Sequence, residues 1–132
     1  KIIDIEGIGE TYAAKLEAAG VKTPEDLLAA CASAKGRKEM AEKTETSEKL
    51  ILRWTNHADL FRIKGVGPQF AELLEAAGVD TVKEFRHRVA ANLQAKVEEV
   101  NADKNLVNRV PSESELQKMI DQAKEMEPVM TY

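Results

Sequence analysis

Residues 63–86 read IKGVGPQFAELLEAAGVDTVKEFR, and residues 5–28 read IEGIGETYAAKLEAAGVKTPEDLL. Set against each other without gaps, 58 positions apart, they share 11 of 24 residues: Ile5/Ile63, Gly7/Gly65, Gly9/Gly67, Ala13/Ala71, the run Leu-Glu-Ala-Ala-Gly-Val at 16–21 and 74–79, and Thr23/Thr81. A self-match at a fixed offset is the mark of a duplicated structural unit. The punctuation of the two copies is the same. A Gly-x-Gly pair offers positive φ and a bare backbone, a helix follows, Gly20 or Gly78 stops it, and Thr23 or Thr81 caps the next. Thr81-x-x-Glu84 reads as a capping box, and Thr23-Pro24 places proline in a first helical turn, where its missing N–H costs nothing.

The pattern apolar-x-Gly-apolar-Gly, then Ala four residues on and Leu three further, resembles the helix-hairpin-helix motif. Over nearly its whole length the chain resembles an uncharacterised bacterial family of domains of unknown function that carry two such units. The resemblance implies an all-α fold in which duplicated helix-hairpin-helix units pack into one compact multi-helix domain. It also implies an Asn-Pro pair where Val89-Ala90 stands and a tryptophan near Met119, two points at which this chain departs from the family.

Composition agrees with helix. Of 132 residues, 43% are hydrophobic and 5% aromatic, enough for one core of Leu, Ile, Val and Ala, and no alternating stretch is long enough to suggest a sheet. The expected division is 1–61, the first unit with its connecting helices, and 62–132, the second with C-terminal covering helices. No Pro-, Gly- or Ser-rich linker separates them, so rigid coupling is expected.

In chain order, residues 1–6 suggest a short helix offering Ile2, Ile3 and Ile5 to the core. Helices are expected over 10–19 and 24–33, with a break at Lys35-Gly36. A short helix, a turn and a longer helix over 48–62 follow, then helices over 68–77, 82–89 and 92–101. The segment around Ala41, Glu45 and Trp54 looks like a helix-turn-helix whose turn carries Glu45 in place of glycine, at a cost on the order of 1 kcal/mol if left-handed. Leu50, Ile51, Trp54, Ala58 and Phe61 read better as a core stripe. Ser112-x-x-Glu115 is a capping box before a helix with the stripe Leu116, Met119, Ile120, Ala123 and Met126.

Chemistry is sparse. His57 and His87 with one cysteine cannot make a zinc set, so no metal is expected. No P-loop, nucleophile elbow or dinucleotide fingerprint is present, so no catalytic residue, no cofactor and no enzyme activity is expected. Cys31 reads as a small buried apolar residue, which favours a cytoplasmic setting. No run of 18 apolar residues argues for a membrane partner. The first residue is Lys1, which reads as a trimmed or processed form.

The net charge is -4, the wrong sign for a strong polyanion binder. Of four segments, only 29–62 is net basic, with seven basic and five acidic residues. The helix-hairpin-helix resemblance implies weak, salt-sensitive and sequence-independent DNA binding through backbone contacts. On that reading the N–H groups of Gly65, Val66 and Gly67 hold a phosphate, Arg62 and Lys64 add charge and Gln69 adds a side-chain donor. Glu6 and Glu10 bracket the first Gly-x-Gly and oppose the same role there. The alternatives are an architectural module whose partner is another protein, or an engineered small-molecule binder on this scaffold.

Overall fold

The computed structural model describes every residue, Lys1–Tyr132. The chain is all-helical, and its contacts divide it into two units, Lys1–Asp59 with Val129–Tyr132, and Leu60–Pro128. In the first, a 3-10 turn at Ile2–Asp4 precedes α1 (Glu10–Ala18), α2 (Pro24–Cys31), α3 (Ala34–Thr44) and α4 (Glu48–Leu60). Ile2 and Ile5 are buried while Ile3 is 42% exposed, because a three-residue turn spreads consecutive side chains about 120° apart and cannot turn every isoleucine inward.

Local chemistry accounts for the helix ends. Thr23 accepts the Asp26 N–H at 3.1 Å and the Asp26 carboxylate accepts the Thr23 N–H at 3.2 Å, with Pro24 opening α2. The expected break at Lys35-Gly36 is overturned, since Gly36 lies inside α3. A Cβ there would stand 2.1 Å from the carbonyl oxygen of Ala30, so the glycine serves a close crossing of two helices. Glu45 takes the left-handed region at φ 52 and ends α3 without glycine. Ile51, Trp54 and Ala58 are buried, and Trp54 meets Tyr12 edge-on with ring centroids 4.9 Å apart. The helix-turn-helix tryptophan is thus a core residue.

Arg37 is also buried, although it stands in the net-basic stretch. Its guanidinium donates to the carbonyls of Cys31, Ala32 and Thr131 at 3.0, 2.9 and 2.6 Å, and lies 5.3 Å from the Tyr132 ring.

The second unit holds α5 (Pro68–Ala76), α6 (Val82–Phe85), α7 (Ala90–Lys104) and α8 (Glu113–Glu125). Its core runs through Leu60, Ile63, Leu73, Leu74, Val79, Val82, Phe85, Val97, Leu116 and Ile120. The helix expected over 82–89 stops at Phe85, and α7 runs longer than expected. Arg88 explains the early stop: Nη2 donates to the Gly78 carbonyl at 2.8 Å and to Glu84 Oε1 at 2.7 Å, tying the chain back before α7 begins. The same pair draws Glu84 away from Thr81, so the expected capping box is half made, with Thr81 accepting the Glu84 N–H alone. The box of Ser112 and Glu115 is complete.

Turn geometry recurs between the units. Gly7 and Gly65 have φ 93 and 97, and Gly20 and Gly78 have φ 90 and 94. The bond from Val21 N–H to the Leu16 carbonyl, 2.9 Å, matches that from Val79 to Leu74, 2.8 Å.

Candidate nucleic-acid interface

The segment from Arg62 to Phe70 carries all the residues expected to touch a phosphate. Gly65 owes its glycine to conformation: φ is +97, and the atom a Cβ would meet, Met119 Cε of α8 at 3.1 Å, is the end of a flexible side chain that can give way. Gly67 differs. Its φ of -99 and ψ of -177 are open to any residue, and a Cβ there would meet nothing within 4 Å. Neither turn geometry nor packing accounts for the absence of a side chain, and Gly9 repeats the observation at φ -88 and ψ -176. A bare backbone facing open space leaves room for close approach from outside the chain.

Gly67 caps α5 without a side-chain acceptor, and Pro68 at the first helical position has no N–H. The amides left at this helix start are those of Gly67, Gln69 and Phe70. Val66 is otherwise engaged: it is buried, and its N–H donates to the Ile63 carbonyl at 3.2 Å. That amide, expected to hold a phosphate, is thus already engaged within the turn. Lys64 is exposed, and its backbone N–H donates to Gln122 Oε1 at 3.1 Å. Arg62 is half-buried, and Nη2 donates to the Glu127 carbonyl at 2.8 Å. Hence α8 and the residues just after it hold the N-terminal flank of the turn.

Gln69 is exposed and lines a cavity of about 500 Å³ with Gly67, Phe70, Leu106, Val107 and Asn108. The last three come from the connection between α7 and α8, and sequence spacing did not bring them to the turn. Asn101 fixes that connection: Nδ2 donates to the Val107 carbonyl at 3.0 Å, and Oδ1 accepts the Leu106 and Val107 N–H groups at 2.8 and 3.0 Å. The signal in the sequence was an Asn pair flanking an apolar dipeptide, which has too many meanings to single out.

At the corresponding turn of the first unit, Glu6 and Glu10 are both exposed beside Gly7 and Gly9. Elsewhere, Cys31 is fully buried and burial pushes its thiol up, against the smaller opposing effects of a Thr55 hydrogen bond and the Arg37 charge. His57 is fully buried too. No group of three or more His, Cys, Asp or Glu side chains is placed to hold a metal ion, and no helix is long and apolar enough to cross a membrane.

A family described as "Domain of unknown function (DUF4332)" matches residues 6–126. Nothing among the curated proteins or the solved structures matches the chain.

Proposed function

The chain belongs to the DUF4332 family, and from that premise we propose that it is a non-enzymatic module of two helix-hairpin-helix units that binds nucleic acid weakly and without sequence preference through the second hairpin. The observation that carries this reading is Gly67, a glycine that neither its φ nor its surroundings require. Helix-start amides beside it suit a phosphate, and Lys64 stands exposed three residues before Gly67. A net charge of -4 keeps affinity low and makes it depend on salt.

A titration of labelled duplex DNA at stepped salt tests the reading. Wild type binds at low salt, and affinity falls steeply as salt rises. Lys64→Glu weakens binding and flattens the log-log slope by about 0.9 per lost duplex contact, while Glu6→Lys leaves binding unchanged or strengthens it. Absence of binding by wild type at the lowest salt rejects the proposal. Binding by Lys64→Glu equal to wild type rejects the assignment to this hairpin.

One observation favours a second reading, an architectural module in which the hairpin serves as a folding device. Met119 lies beside Gly65, while Gln122 of α8 and the Glu127 carbonyl just past it engage Lys64 and Arg62, so the second hairpin also works as an internal joint against the C-terminal segment. Failure of the DNA titration would leave that role as the one supported.

A further inference from the structure

No charged side chain stands in the cavity beside α5, among Gly67, Gln69, Phe70, Leu106, Val107 and Asn108. Its volume of about 500 Å³ falls in the usual range for small-ligand sites, and it is an open groove whose lining is polar and apolar in about equal share. Phe70 is buried and Leu106 and Val107 are half-buried, while Gln69 and Asn108 are exposed. A flat heterocycle suits this arrangement: its faces lie against apolar side chains, and its edge of donors and acceptors meets carboxamides that offer both. The wall is preorganised, because Asn101 holds the Leu106 and Val107 backbone with three hydrogen bonds, so little ordering cost falls on the ligand.

Position completes the argument. Gly67, the bare backbone at which a phosphate would approach, is part of the same lining. Base and phosphate are neighbours in every nucleotide. We propose that the cavity receives one unpaired nucleobase of a single-stranded nucleic acid whose phosphate lies at Gly67. Bases in a duplex are stacked and paired and do not enter, so single strands bind better than duplexes. The inference rests on the hairpin reading for its phosphate contact, but its base contact can fail separately.

The test is fluorescence anisotropy at low salt with a labelled twelve-residue oligothymidylate, an abasic oligomer of the same length, and a duplex. Wild type is expected to bind oligothymidylate roughly tenfold more tightly than the abasic strand, the effect of one base–side-chain contact, and more tightly than the duplex. Leu106→Trp, which fills the cavity, should abolish the preference while leaving abasic binding unchanged. Should that variant fail to fold, Gln69→Ala and Asn108→Ala alter exposed rim groups and should reduce the same preference. Equal binding of the thymidylate and abasic strands by wild type overturns the base site and leaves the hairpin reading standing. A preference that survives every cavity variant overturns the site as well. Absence of binding to all three probes overturns both readings. Displacement of oligothymidylate by thymidine 5′-monophosphate at matching concentrations assigns the cavity to free nucleotides and overturns the strand proposal.

Discussion

A methyl group added at Gly36 would stand 2.1 Å from the Ala30 carbonyl oxygen. Helix propensity favours alanine there by about 1 kcal/mol, while forcing atoms into a filled interface costs about 1–3 kcal/mol. The obstacle is backbone and cannot swing aside, so the clash wins. Gly36→Ala is expected to lose about 1–2 kcal/mol net in urea unfolding. A melting temperature at or above wild type would show that α2 and α3 separate at little cost. Gly20 has φ +90 and open space around its missing Cβ, so it depends on conformation alone. Two glycines that look alike in a helical sequence are thus required for unrelated reasons.

Among the elements, α8 carries a titratable end. The Ser112 N–H donates to Glu115 Oε1 at 3.1 Å, and Arg109 grips the same carboxylate with both terminal nitrogens at 2.9 Å. Chiefly the Ser112 backbone bond, with the Ser112 side chain and the Arg109 and Lys118 charges, holds the Glu115 carboxyl below its usual value. A carboxyl lowered in the folded state binds protons more readily when unfolded, so its contribution is present above the unfolded pKa of about 4.3 and is lost as pH falls through the folded value. Glu115→Gln should therefore melt below wild type at pH 7, with the gap closing under acid conditions. Melting curves across pH 2.5 to 7 check this, and a gap independent of pH would assign the effect to lost geometry instead of charge.

For the molecule as a whole, Arg37 is the test of how the first unit is closed. Its three carbonyl acceptors lie at the end of α2 and in the segment Val129–Tyr132, which belongs to that unit. Hydrogen bonds from charged donors contribute about 1.5–3 kcal/mol each when their loss leaves buried groups unsatisfied. Because part of each acceptor can find water, Arg37→Ala is expected to cost about 2–4 kcal/mol in all, against under about 0.5 kcal/mol for the exposed Lys38→Ala. Chemical denaturation of the two variants decides it. Equal midpoints would mean that the segment contributes nothing to the unit's stability.

Helix content, the stops at Gly20 and Gly78, the caps at Thr23, Thr81 and Ser112, and most core positions were legible in the sequence. Each depends on a residue and its neighbours within one or two turns, where backbone sterics and local hydrogen bonds dominate. The family matched over residues 6–126 agrees with the resemblance those motifs carried. What lay beyond reach was set by which of several available partners packing brought together. Position 36 excludes a side chain because the Ala30 carbonyl lies across from it. Glu84 leaves its cap for Arg88. Arg37 passes from a basic connector into a buried site because Thr131 supplies a carbonyl, and Asn108 joins Gln69 at a cavity only through the folding of the α7–α8 connection. Local propensities select the elements, but which donor reaches which acceptor depends on packing between elements, and only the tertiary structure decided that.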